Sequence, residues 1–190
     1  EPAIHEKAAV LRNEYSVQVV SLERDLSLPS AAQELHQYCI DNQLEVEVLV
    51  NNAGVYHDRD FLLDSERFNS LILNLHMYTP AMLCYYFGQD MVARHKGYIL
   101  NVCSITSTIA VQRLATYSAT KAFLSNFSRA LHVELRQKGV IVTDISPGAV
   151  DTGLYHIHPI FTKMGRALGI IVSPEYLVKR ALRALFRGRA

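Results

Sequence analysis

This sequence has few cysteines, no long apolar run and almost no net charge, and each of these absences excludes some classes of protein. The 190 residues hold three cysteines, Cys39, Cys84 and Cys103, whose odd number and spacing favour neither a disulfide framework nor a metal site. We therefore expect reduced thiols in a cytoplasmic protein. No apolar stretch is long enough for a transmembrane helix, and a net charge of +1 gives no electrostatic reason to expect nucleic acid as a partner.

The rest of the composition is that of an ordinary folded domain. Apolar residues make up 49% and charged residues 19% of the sequence, and 190 residues suffice for a single domain, 1–190, with its own core. Apolar spacing of three to four residues predicts helices, and short β-branched runs predict strands. The predicted helices are 3–14, one opening near Pro29, 65–95 with interruptions near Asn74 and Pro80, 117–138 and 173–188; the predicted strands are 16–22, 46–50, 97–104 and 140–148; and 151–172 is expected to be irregular.

This alternation of strands and helices predicts an α/β fold built on a doubly wound parallel sheet. The strands are apolar on both faces, as strands between two helical layers must be. Ligands of such sheets bind at the carboxyl ends of the strands. Small, polar or turn-forming residues follow the predicted strands, namely Asp25, the Asn-Asn-Ala-Gly run at 51–54, Ser104, and Pro147 with Gly148. Each of them alone can be a turn or a helix cap, but together they fall on one edge of one sheet.

The helix predicted after Ser104 opens with the run Tyr-Ser-Ala-Thr-Lys at 117–121. Helical spacing puts Tyr117 and Lys121 one turn apart on the same face. A solvated surface pair is the simple interpretation, and the pair alone does not distinguish that interpretation from a chemical site.

With these residues taken together, the sequence resembles the short-chain dehydrogenase/reductase superfamily in its single-domain, Rossmann-like type. The resemblance runs in order along essentially the whole chain, and Ser104 precedes Tyr117 by the 13 residues typical of that family. The matching residues are Asp25, the run at 51–54, Asn74, Ser104, Tyr117, Lys121 and the Pro-Gly-Ala-Val-Asp-Thr run at 147–152.

The resemblance implies a catalytic set of Asn74, Ser104, Tyr117 and Lys121. Tyr117 would exchange a proton with the substrate oxygen as hydride moves, and the Lys121 ammonium would lower the pKa of the phenol, which is about 10 when free. Ser104 would hold the substrate oxygen, and Asn74 would hold a water that links Lys121 to solvent. The implied reaction interconverts an alcohol and a ketone or aldehyde.

The resemblance also implies a nicotinamide cofactor, NADP or NAD, with NADP slightly favoured. Lys121 would contact the nicotinamide ribose, and Gly54 would let the backbone come close to the adenosine ribose. The implied contacts are Asp25 and Leu26 at the adenine, Asn51, Ala53 and Gly54 at the adenosine ribose, Tyr117 and Lys121 at the nicotinamide ribose, and Pro147, Gly148, Val150 and Thr152 around the nicotinamide.

The glycine-rich turn that receives the cofactor pyrophosphate in this family has no counterpart in the sequence. None of the nine glycines forms a Gly-x-x-x-Gly-x-Gly turn between a strand and a helix. In the family's strand order, 16–22 and 46–50 would be separated by two strands that the sequence lacks, which leaves 46–50 with a bare apolar edge. We therefore expect a sequence truncated at both ends, whose incomplete domain neither folds well nor binds cofactor normally.

The apolar segment 151–172 corresponds to the family's lid over the substrate. An apolar lid suits a bulky apolar substrate, either fatty acyl, steroid-like or retinoid-like. Packing of this segment on the core or on a partner subunit is the alternative. The resemblance also implies a homo-oligomer, with the aromatic run Tyr85, Tyr86 and Phe87 on a helix that often forms the dimer contact.

Two other functions fit parts of the pattern. The first is a non-catalytic sensor or scaffold of the same fold that binds a dinucleotide, although such a protein has no need of an acid/base tyrosine. The second is a sugar-nucleotide epimerase or dehydratase, which shares the tyrosine and lysine but has a larger C-terminal substrate domain.

Overall fold

A three-stranded parallel sheet with helices against both faces forms the centre of the structure, a computed structural model that describes residues 2–151 and 171–189. The strands follow the order β1-β2-β3. The elements are α1 (Pro2–Tyr15), α2 (Ala31–Asp41), β1 (Val48–Asn51), α3 (Glu66–Leu73), α4 (Thr79–Ala93), β2 (Gly97–Val102), α5 (Ala115–Leu135), β3 (Val140–Ile145), β4 (Ala149–Val150), β5 (Ile171–Val172) and α6 (Pro174–Phe186).

The two faces of the sheet bury different helices because successive strand side chains point to opposite sides. In β2, Ile99 belongs to a core cluster with residues of α2, α4 and α5. Its neighbour Leu100 packs with Ala181 and Leu185 of α6. Both β1 and β3 run parallel to β2. The predicted α/β fold with a doubly wound parallel sheet is therefore confirmed.

The interruption predicted near Asn74 and Pro80 is also confirmed. Helix α3 ends at Leu73, and the chain continues through a π-helical turn, Asn74–Tyr78, into α4. The wider turn is closed by the Thr79 N–H, which donates to the Asn74 carbonyl five residues earlier. Pro80 lies in the first turn of α4 and has no N–H to donate to the turn before it.

The prediction of a strand at 16–22 is wrong. A strand exists only when its backbone pairs with a neighbour, and residues 16–25 belong to no strand. Val17 and Val20 are about half exposed, at 52% and 47%. The Arg12 guanidinium donates to the Val19 carbonyl and fastens this extended segment to α1.

The segment predicted to be irregular has a short strand at its end. Ile171 and Val172 form β5, which pairs in parallel with β4. The other residues of the predicted lid, 152–170, lie outside the described part of the chain.

The outer edge of β1 is open within residues 2–151 and 171–189, since β1 pairs only with β2 there. Val50, on this strand, is 49% exposed, which confirms the predicted apolar edge. In the same described residues, no helix has the length and hydropathy needed to cross a membrane.

Candidate active site

Tyr117 and Lys121 lie together on the buried face of α5. Each side chain is 6% exposed, and the Lys121 Nζ lies 5.8 Å from the centroid of the Tyr117 ring. The ammonium donates to the carbonyl of Val102, the last residue of β2, at 2.9 Å. Burial lowers the pKa of Lys121, and the nearby Cys103 opposes this in part. The predicted pair is therefore a buried one at the carboxyl end of a strand rather than a solvated surface pair.

Ser104 lies in the loop that follows β2 and is buried. Its Oγ accepts hydrogen bonds from the Thr106 N–H at 3.2 Å and from the Thr106 hydroxyl at 3.0 Å. The next residue, Ile105, donates its N–H to the Pro147 carbonyl at 2.9 Å. The loops after β2 and β3 are thus joined, and both known bonds to Ser104 leave its own hydroxyl proton available.

Asn74 begins the π-helical turn, and its carbonyl accepts from the Thr79 N–H. A carbonyl oxygen has two lone pairs and can accept a second bond. Its proposed water contact stays a prediction.

His76 is a buried residue of this region that the sequence interpretation missed. Its ring is 1% exposed and contacts the Tyr117 ring edge-on, with 5.7 Å between centroids. The Nε2 atom accepts from the Val55 N–H at 3.0 Å, and Nδ1 lies 3.1 Å from the Thr120 hydroxyl. Burial, followed by the charge of Lys121, lowers the pKa of His76 to about 3. The break in helical periodicity two residues earlier is the only sequence signal that pointed near it.

A cavity of about 120 Å³ lies beside β1 and is lined in part by the predicted residues Leu26, Asn51, Ala53 and Lys121. Sites for drug-sized ligands and cofactors occupy about 300–1,000 Å³. This cavity by itself therefore has room for a ribose-sized group.

Three residues predicted around the cofactor adenosine have other contacts. Asn51 points into the core, where its Nδ2 donates to the Asn101 Oδ1 at 2.8 Å. The Asp25 carboxylate accepts from the Ser27 N–H and hydroxyl, which lowers the pKa of Asp25, and so caps a turn. A Cβ at Gly54 would lie 3.0 Å from the His76 Nε2, so the close approach at this glycine is made by an imidazole.

The residues predicted around the nicotinamide lie near the end of β3. Pro147 and Gly148 line an open cavity of about 580 Å³ between β3 and α6. Val150 pairs with Val172, and Thr152 is outside the described residues. Residues 2–151 and 171–189 contain no cluster of metal-ligating side chains.

Known proteins with similar sequences and structures agree on the family. The family model described as short chain dehydrogenase matches residues 1–158. The chain is 35% identical over 147 residues to the very-long-chain 3-oxoacyl-CoA reductase of Homo sapiens, an alignment that covers 75% of this chain and 45% of that protein. It is 31% identical over 180 residues to the Mus musculus protein of the same name, over 92% of this chain and 54% of that one.

Solved structures of short-chain dehydrogenases have a similar fold. The short-chain dehydrogenase from Sphingobium yanoikuyae, solved in complex with NADPH, superposes with a TM-score of 0.84 at 26% identity, covering 98% of this chain and 71% of that one. The chain spans about half the length of the curated relatives that it matches. These similarities extend over most of the chain, and it belongs to the short-chain dehydrogenase family.

Proposed function

We propose that this chain carries the acid/base site of an NAD(P)-dependent oxidoreductase that interconverts an alcohol and a ketone or aldehyde. One observation carries the proposal: a phenol and an ammonium are buried together at the carboxyl end of a parallel strand, on Tyr117 and Lys121. Burial of a lysine ammonium costs free energy unless the charge has a compensating partner, and a bound ligand can supply one. The family assignment agrees with this interpretation of the pair.

The residues fit part of a dinucleotide. The Lys121 ammonium has three N–H donors and gives one to the Val102 carbonyl, so it has donors for ribose hydroxyls at the cavity that it lines. Leu26 and Ala53 would border the same ribose-sized space. A Gly-x-x-x-Gly-x-Gly turn is absent from the 190 residues, so no residue is assigned to the pyrophosphate. The NADPH in the Sphingobium structure supports NADP as the preferred cofactor.

Each member of the set has a role that its contacts permit. When bound, the nicotinamide supplies or accepts the hydride. Tyr117 gives a proton to the substrate oxygen in reduction and takes one in oxidation. Lys121 favours the phenolate form through its charge. Ser104 donates its free hydroxyl proton to the same substrate oxygen, and Asn74 holds a water on its carbonyl for proton return.

We propose a ketone or alcohol on a fatty acyl chain as the substrate, with 3-oxoacyl thioesters as the first class to test. The names of the mammalian relatives support this class. The apolar residues between 154 and 171 support it independently. Steroid-like and retinoid-like ketones are the comparison substrates.

The test uses the intact natural protein with NADPH and a long-chain 3-oxoacyl-CoA, followed by the loss of NADPH absorbance. Tyr117→Phe should keep NADPH affinity and lose about 10²-fold or more of kcat, since general acid catalysis contributes about 10²–10⁴-fold. Full turnover by Tyr117→Phe would overturn the acid/base assignment. NADPH binding without turnover of any carbonyl substrate would instead favour the sensor.

Assembly and location complete the proposal. Tyr85 on α4 is 58% exposed and packs edge-on against Tyr86, and Phe123 on α5 is stacked on Phe127. These rings support a homo-oligomer formed through α4 and α5, which light scattering of the intact protein can test. The cytoplasmic location rests on the cysteines, all three of which are free thiols.

A further inference from the structure

The buried imidazole of His76 joins three separate elements around Tyr117. It comes from the π-helical turn, accepts from Val55 in the loop after β1, and lies against Thr120 of α5. None of these contacts is to solvent. Because the proposed cofactor ribose lies beside the loop after β1 and the proposed acid lies on α5, His76 stands between the two halves of the site.

The hydrogen bonds give the imidazole one direction. A backbone N–H can only donate, so the bond from Val55 makes Nε2 the unprotonated nitrogen of His76. The proton is then on Nδ1, which donates to the Thr120 Oγ1. The Thr120 hydroxyl in turn donates to the Tyr117 carbonyl at 2.8 Å. The chain runs from Val55 through His76 and Thr120 to the backbone of Tyr117, with every donor matched to an acceptor.

The imidazole also remains neutral at working pH. Burial and the charge of Lys121 hold the pKa of His76 near 3, and the proton that would add to Nε2 would face the Val55 N–H. Lys121 on α5 and Tyr56 in the loop after β1, whose ring centroid is 5.4 Å away, also lie near the Tyr117 ring. The titratable His57 and Asp64 line a small cavity together with Tyr117. A proton-transfer role for His76 at neutral pH is therefore unsupported.

We infer that His76 is a positioning residue. It holds the loop after β1 and the first turn of α5, which carries Tyr117, in a fixed relative position, so that the bound cofactor and the acid are correctly spaced. This inference rests on the proposed function, because that function requires a fixed spacing between the cofactor and the acid. The contacts to the loop after β1 and to α5 can be tested separately, because each uses a different ring nitrogen of His76. Loss of the Nε2 contact should loosen the cofactor loop, and loss of the Nδ1 contact should displace Tyr117.

Two substitutions remove one contact each. In His76→Asn the amide can occupy the Nδ1 position and donate to Thr120, but it is too short to reach Val55. In His76→Gln the longer amide can place its oxygen at the Nε2 position and accept from Val55, and it gives up the donor to Thr120. Thr120→Val breaks the Nδ1 contact from the other side. His132→Gln is the matched control, because His132 is also a buried α5 residue whose Nδ1 lies 2.8 Å from the Val142 carbonyl, and the longer amide likewise gives up the Nδ1 donor.

The experiment measures kcat, its pH profile and the KM for NADPH in the intact protein, with a long-chain 3-oxoacyl-CoA and with Tyr117→Phe in the same series. We expect His76→Asn to raise the KM for NADPH about tenfold with kcat nearly unchanged, the effect of one partly buried hydrogen bond. We expect His76→Gln and Thr120→Val to lower kcat about tenfold and displace its pH profile with KM nearly unchanged. Their double variant should show no further loss, because both break the same link.

Each other outcome counts against the inference. If the His76 variants lose only melting temperature, as His132→Gln is expected to, His76 is a packing residue and the inference is wrong. If the Asn and Gln variants show the same kinetic change, or if Thr120→Val adds fully to His76→Gln, the separation into two contacts is wrong. If Tyr117→Phe is inactive and the His76 variants are unaffected, only the inference about His76 is wrong. If Tyr117→Phe is fully active, the proposed function is wrong, and the inference that depends on it fails as well.

Discussion

Replacing Gly54 by alanine should destabilise the protein, whereas the same replacement at Gly148 should not. Neither glycine has a positive φ, so backbone strain does not separate them. A Cβ at Gly54 would lie 3.0 Å from the His76 Nε2, while a Cβ at Gly148 would meet no described atom within 4 Å. His76 is 1% exposed and is held by Thr120, so it cannot move away without giving up a contact.

The size of the effect follows from the bond at risk. Displacing the imidazole breaks its bond with the Val55 N–H and leaves a partly buried donor unpaired, at a cost of about 1–3 kcal/mol. Glycine to alanine also removes entropy from the unfolded chain, which returns about 0.4–1 kcal/mol. The net loss at Gly54 is about 1–2 kcal/mol, or about 2–8 °C in Tm for a chain of this size. At Gly148 only the gain remains.

The assay is thermal unfolding of both variants of the intact natural protein by circular dichroism, without cofactor so that ligand contacts do not enter. Gly54→Ala should melt below the wild type and Gly148→Ala at or slightly above it. Equal melting temperatures for the two variants would refute the contact between Gly54 and His76, and with it the fixed position of the imidazole.

Three further predictions concern the core and pH. Asn101→Leu should cost about 2–4 kcal/mol in urea unfolding, because Asn51 and Ser128, both buried, each lose a hydrogen bond to that amide; a neutral result would show that the network relaxes. Gly139→Ala should destabilise more than Gly148→Ala, since its φ is +83° and a Cβ would collide with the His95 carbonyl; equal melting would contradict this. The pKa of His76 is about 6.5 in the unfolded chain and about 3 in the folded protein, so between these pH values only the unfolded chain binds a proton at this residue. Stability should therefore fall as pH drops from 6.5 towards 3, by up to about 1.4 kcal/mol per unit more than in His76→Gln, and parallel pH curves for the two proteins would disprove it.

Local features were predictable wherever the cause lies within a few residues. The helix predicted at 173–188 is α6, and the Ser173 hydroxyl accepts from the Tyr176 N–H at its start, a short-range bond that depends only on neighbouring residues. The interruption near Asn74 is a change of local periodicity. The spacing of Tyr117 and Lys121 is set by one turn of helix, and this accounts for their common buried face.

Contacts between distant parts of the chain were decided only by the tertiary structure. Residues 16–22 have the β-branched pattern of a strand, yet they form none, because pairing needs a neighbour and composition cannot supply one. The family resemblance implied a cofactor contact for Asn51, which stays a prediction. Its amide turns into the core, where the opposite residue in register is Asn101. His76 has an unremarkable position in the sequence. Its role depends on Val55, 21 residues away, and on Thr120, 44 residues away, and folding alone brings these partners within hydrogen-bonding distance.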